Sequence, residues 1–207
     1  MRTIYESIFD IDSNLDKVDV SVVKKFLKEN YSDGAFDISD KPNKNGKFEV
    51  TSRWGVFLEN TEITSLTNNM FEFTKINGDF EIKDADQIED LSGAPKEVKG
   101  CLSIINCKNL KSLKGISPAV GKLFIDGCSS LKSIDYIPNE IYGNVTYNSS
   151  DCSEYDDIYI ENCELLESMP AIKKYKKRLA LRLFDCPAKS LKDIPNANVY
   201  NSWIYLN

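Results

Sequence analysis

The chain has 207 residues and no histidine, and its 32 Asp and Glu outweigh 26 Lys and Arg to leave a formal net charge of −6. Such a length suits one repeat array, or a small domain with a short array, and the acidic balance denies the positive field on which nucleic-acid binding relies. No apolar run approaches the roughly 18 residues needed to span a bilayer, and MRTIYESIFDID sets acidic residues where a secretory signal carries its apolar core, so no membrane contact and a cytoplasmic location are expected.

In chain order, Ile4, Ile8 and Ile11, then Val18, Val22, Val23, Phe26 and Leu27, recur at spacings of three and four. That periodicity predicts two short amphipathic helices. Asn14 or Ser21 is the expected N-cap of the second. The alternating pairs Phe36, Ile38 and Phe48, Val50 flank a turn signal from Lys41 to Gly46, which predicts a hairpin.

From Phe80 a repeat sets in. Leu102, Ile104, Cys107, Leu110, Leu113, Ile116 and Val120 recur as Leu123, Ile125, Cys128, Leu131, Ile134, Ile137 and Ile141, every offset being 21 residues. One 22-residue step earlier stand Phe80, Ile82, Ala85, Ile88, Leu91 and Val98, and Val56, Leu58 and Leu66 are read as a degenerate first coil. Fixed apolar slots at this period mark a solenoid in which each coil buries one face against the next. The L-x-I pairs alternate with period two, as short strands do, and stacking them builds a parallel sheet on the concave side. Pro and Gly slots then turn the chain back along irregular convex connections.

After Ile141 the pattern is interrupted. Val145 and Tyr147 keep the 22-residue step, but NSSDCSEYDD lacks the apolar segment that should follow, so residues 145–157 read as a clipped coil or an inserted loop. Strands resume at Ile158 and Leu181, and a last one runs from Ile204 to Leu206. The chain accordingly divides into residues 1–46, with the helices and the start of the hairpin, and residues 47–207, the array. Solenoid ends expose an apolar face, so the helices read as an N-terminal cap, with a separate partner-binding helix pair as the alternative.

Four of the six cysteines, Cys107, Cys128, Cys163 and Cys186, share one repeat slot, which packing explains and a reducing compartment leaves as thiols. Zinc is not expected, since the chain has neither CxxC nor histidine. No other metal and no cofactor is expected. Cys101 and Cys152 fall outside the slot and have no evident partner. The absence of histidine also removes Ser-His and Cys-His catalytic pairs, and no Gly-rich phosphate loop is present.

The pattern L-x-I-x-x-C-x-x-L-x-S-L, with LSGAPKEVKG and LKGISPAVGK after it, resembles the leucine-rich repeat family, in the compact form of many bacteriophage and bacterial members. The resemblance covers residues 80–207 and implies an α/β repeat protein that is mainly β. It also implies a binding surface, with a host-encoded protein as the partner if the chain is phage-encoded. Many members carry Asn in the slot that here holds Cys, Ala or Ser, so their side-chain ladder to the backbone is not carried over.

With Leu102 and Ile104 inward, two outward columns follow: Glu81, Ser103, Phe124, Thr146, Tyr159, Arg182, Tyr205, and Lys83, Ile105, Asp126, Asn148, Glu161, Phe184. Aromatic and Arg anchors in a polar setting have the composition of a protein-binding hot spot. The expected partner-binding set is Ile105, Phe124, Asp126, Tyr159, Glu161, Arg182 and Phe184. Any single ring also reads as cross-strand bracing. The expected function is non-enzymatic protein binding. The alternative is a carbohydrate-active or small-ligand-binding solenoid that uses Asp126 and Glu161. The run Lys173 to Arg178 reads as a solvated convex face.

Overall fold

The computed structural model describes residues 18–30, 36–59, 64–142, 158–166, 181–184, 186 and 204–206; for residues 30, 181–184 and 204–206 it describes the backbone alone. Expectations at Ile4 to Asn14, Val145 to Cys152 and Lys173 to Arg178 lie outside these residues. Within them the chain is mainly β, with one short helix and a β-solenoid of about four turns.

The helix, α1, spans Val20–Asn30. Its N-cap is Asp19 rather than Ser21 or Asn14: Asp19 Oδ1 accepts the amides of Ser21 at 2.7 Å and Val22 at 3.3 Å. A carboxylate meets both the orphan amides and the positive end of the helix dipole. Hydrogen bonds from the Ser21 hydroxyl, then from these two amides, hold the carboxyl below its usual pKa. Val23, Phe26 and Leu27 lie buried on one face, in the same core as Phe48 and Phe71. The Phe26 and Phe71 ring centroids are 5.9 Å apart.

The expected hairpin forms from β1 (Phe36–Ile38) and β2 (Phe48–Ser52), antiparallel with Phe36 opposite Ser52 and Ile38 opposite Val50. Asn43 organises its turn, its Oδ1 accepting the amides of Asn45 and Lys47.

The array continues through β3 (Val56–Glu59), β4 (Phe71–Ile76), β5 (Phe80–Lys83), β6 (Glu97–Ile105), β7 (Ala119–Asp126), β8 (Glu140–Ile141), β9 (Ile158–Glu161), β10 (Leu181–Phe184) and β11 (Ile204–Leu206). These strands form two parallel ladders. The expected one stacks β3, β5, the C-terminal half of β6, the C-terminal half of β7, β9, β10 and β11 in continuous register. Val56 and Leu58 head it, in register with Phe80 and Ile82. A second ladder was not anticipated. It stacks β2, β4, the N-terminal halves of β6 and β7, and β8, aligning Ile76, Val98, Val120 and Ile141. The connections expected to be irregular therefore carry paired backbone.

Between its two ladders each early coil turns a corner at glycine. Gly100 donates its amide to Gly78 O at 3.0 Å, and the Cys101 amide donates to Asp79 Oδ1 at 2.7 Å. A Cβ on Gly78 would lie 2.5 Å from the Gly55 nitrogen, so successive corners stack backbone on backbone.

The two ladders enclose one core. Its columns read Val56, Phe80, Leu102, Leu123, Ile158, then Leu58, Ile82, Ile104, Ile125, Ile160, and at the outer turn Ile88, Leu110, Leu131, Leu166, all buried. Each coil supplies the same apolar slots to its neighbours, and their burial drives the stacking. β9 pairs directly with β7, setting Ile158 opposite Leu123. The ladder place expected for Val145 and Tyr147 is thus taken by Ile158 and Ile160.

Candidate functional site

The outward positions of the second half of each coil line up as the period-two alternation requires. Phe57, Glu81, Ser103, Phe124, Tyr159, Arg182 and Tyr205 are register partners in one row, and Glu59, Lys83, Ile105, Asp126, Glu161 and Phe184 in the next. All seven expected partner-binding residues fall in these rows. Thr146 and Asn148 lie outside the described residues. Arg182 and Phe184 are placed by their backbone pairing to Tyr159 and Glu161.

Burial departs from expectation. Phe124 and Tyr159, read from the sequence as exposed anchors, are only 6% and 9% exposed. They stack at 5.5 Å between centroids and pack with Cys101 and half-buried Ile105 into a satellite cluster. Two large rings brought side by side by in-register pairing bury more apolar surface against each other than either would standing alone. Cys101 is disulfide-bonded, and its partner lies outside the described residues. Sequence reasoning gave it none.

The polar residues of the face are also engaged. Tyr159 Oη donates to Glu161 Oε2 at 3.0 Å, and Asn162 Nδ2 donates to Asp126 Oδ1 at 2.8 Å. Asp126 and Glu161 are direct register partners on β7 and β9. Lys83 pairs with Glu59 at 2.7 Å, and this hydrogen bond raises the Lys83 pKa.

Beside the rows runs a feature the sequence reading missed. Asp84, Asn106 and Asn162 hold φ of 53°, 53° and 52°, and Gly127 holds 64°, all at the residue that directly follows the L-x-I strand. Left-handed backbone favours Gly, Asn and Asp. Their recurrence just before the Cys slot, in KDA, INC, DGC and ENC, was the available signal. Asn106 Nδ2 donates to Asp84 Oδ1 at 3.1 Å, linking consecutive coils.

The Cys slot forms a ladder of its own. The Cys107 thiol lies 3.8 Å from Ile82 O, that of Cys128 3.9 Å from Ile104 O, and that of Cys186 3.8 Å from Ile160 O. Each thiol thus makes a weak donor contact to a carbonyl of an earlier coil. All four slot cysteines are free thiols.

Among the described residues no group of three or more His, Cys, Asp or Glu is placed to hold a metal ion, and no helix is long and apolar enough to cross a membrane. No family model matches the chain, and neither curated proteins nor solved structures offer a match.

Proposed function

We propose that the protein is a non-enzymatic binding module which docks another protein on the outward face of its L-x-I sheet. We read the solenoid as leucine-rich-repeat type, with α1 capping its N-terminal end. The observation that carries this reading is the continuous register from β3 to β11, which sets chemically varied positions in two rows over a uniformly apolar core. A core that repeats and a face that does not are what a scaffold for recognition needs. Phe124 and Tyr159 form the apolar floor of the face, and Ile105, Asp126, Glu161, Arg182 and Phe184 its contacts. Buried aromatics ringed by polar groups concentrate binding energy. In a phage-encoded chain the partner is a host protein, and the site of action is the host cytoplasm.

The test is an affinity pull-down from the native cell with the parent chain and with Asp126→Ala/Glu161→Ala, followed by titration of the captured protein. The parent is expected to retain a partner that the variant loses by about tenfold or more in affinity, while the variant still unfolds cooperatively, short only of its bonds to Tyr159 and Asn162. A partner held equally by both chains, or saturable binding of a polysaccharide in its place, overturns the reading.

A further inference from the structure

The two ladders do not begin alike. The β2–β4 ladder is continued past β2 by antiparallel β1, whereas the L-x-I ladder starts at β3, which among the described residues pairs with β5 alone. The Val56 amide donates to Asp79 O at 2.8 Å, so Val56 and Leu58 direct their backbone groups to β5. Alternation then turns the amide and carbonyl of Phe57, and the amide of Glu59, toward the other edge. Among the described residues no strand pairs with that edge. Beside it stand the two most exposed large apolar side chains of the described residues, Trp54 at 70% and Phe57 at 61%. An edge carrying bare aromatics, with neither proline nor lysine on the strand itself, invites another strand.

We propose that β3 is a homodimer seam, in which two copies of the chain pair β3 to β3, antiparallel, about a two-fold axis at Phe57. The inference goes beyond the docking face proposed above and stands without it. The register follows from the backbone. The outward amide and carbonyl of Phe57 exchange hydrogen bonds with those of Phe57 in the second copy, which sets Val56 opposite Leu58 and Gly55 opposite Glu59. Self-complementarity selects a second copy as the occupant. Glu59 of one chain arrives at the corner that carries exposed Arg53 in the other, and the two-fold axis repeats the contact. Charge therefore matches twice across the seam, and both Phe57 rings leave water beside each other. Arg53 also binds Asp37, and Glu59 also binds Lys83, within their own chain. Each acid and base thus reaches the seam already held in place.

Sedimentation of the full chain, from about 1 to 100 micromolar, tests the seam. The parent is expected to dimerise within this range. Phe57→Pro removes an amide that turns away from β5 and toward the edge with which no described strand pairs, so it leaves the pairing to β5 intact and is expected to yield a monomer with unchanged thermal unfolding. Should that variant not fold, Phe57→Lys replaces the ring with an edge charge and is expected to give the same monomer. Arg53→Glu and Glu59→Arg should each weaken the dimer by about tenfold, and the chain carrying both exchanges should recover it. A parent that stays monomeric throughout, a dimer that survives Phe57→Pro or Phe57→Lys, or an edge occupied by an extended peptide of another protein in place of a second copy overturns the proposal.

Discussion

Phe124 and Tyr159 are neighbours only because β7 pairs directly with β9, and their rings stack with planes 24° apart across that junction. The pair sits where the ladder passes from Leu123 to Ile158 without using the intervening sequence. On the opposite face of the same two strands Leu123, Ile125, Ile158 and Ile160 are buried in the main core. The junction is therefore clamped from both sides, by the repeat on one and by the rings on the other.

Phe124→Ala and Tyr159→Ala are each expected to lower the unfolding free energy by about 2–3 kcal/mol, toward the low end for buried rings because the cluster is small. A double-mutant cycle should return about 1 kcal/mol of coupling, the usual value for an aromatic pair beyond its area. Tyr159→Phe removes the hydroxyl that donates to Glu161 and should cost about 1 kcal/mol. Urea denaturation reads all three. Additive losses would mean that the rings do not act as a pair.

Gly100→Ala is expected to destabilise by about 1–3 kcal/mol. Its Cβ would lie 2.7 Å from the Gly78 carbonyl carbon and against the Asp79 carboxylate that holds the Cys101 amide. Backbone below cannot give way without opening the next corner. Gly46→Ala is the control: nothing lies within 4 Å of its Cβ, and its φ of 76° leaves only the left-handed penalty, about 1 kcal/mol. Equal midpoints in denaturant would show that the corners do not bear on one another.

What was legible follows from what repeats. Leu102 and Leu123, or Ile104 and Ile125, occupy like slots and are register partners, so the period alone placed them. The second ladder escaped because Glu97, Ala119 and Glu140 repeat no apolar slot, and Val98, Val120 and Ile141 looked like core residues of a bend. Two-residue strands leave almost no alternation to detect. Exposure on the outward face was misjudged for a different reason. Alternation fixes which way Phe124 and Tyr159 point, but not what lies beside them, and neighbouring rings hide each other. Asp19 was overlooked as a cap in favour of Ser21, although the carboxylate one turn from Val23 satisfies two amides at once.

Glu97 makes acid stability a test of the second ladder, where it pairs with Lys75 and Ala119. Burial pushes its carboxyl up, but hydrogen bonds from Lys99, Tyr142 and Lys75 together outweigh this and hold the pKa below its usual value. A carboxyl depressed in the folded state adds stability that is present above the unfolded pKa, near about 4.3, and is lost as pH falls through the folded value. The parent should therefore lose more stability than Glu97→Gln between about pH 5 and 3. Denaturant midpoints across that range would check it. Parallel pH profiles would mean that the cluster does not favour the charged carboxylate.

The slot cysteines give the last prediction. Their column runs through the core, and Ala85 fills the same place one coil earlier, so a small side chain is what the slot demands. Hydrogen bonding with Cys107, and burial after it, push the Cys128 thiol well above its usual pKa; Cys186 and burial do the same to Cys163. Thiols held protonated and out of water are poor nucleophiles. Alkylation of Cys128 and Cys163 in the native protein should be slower than in denaturant by about tenfold or more, and Cys128→Ala should cost only about 1 kcal/mol. Stacked coils bring these Cα atoms to about 5 Å, within disulfide range, so distance alone does not keep the slot thiols apart. Peptide mapping without reductant should find the bond at Cys101 and free thiols in the slot. A Cys107–Cys128 linkage in that map would show the column to be an oxidisable staple in place of a packing slot.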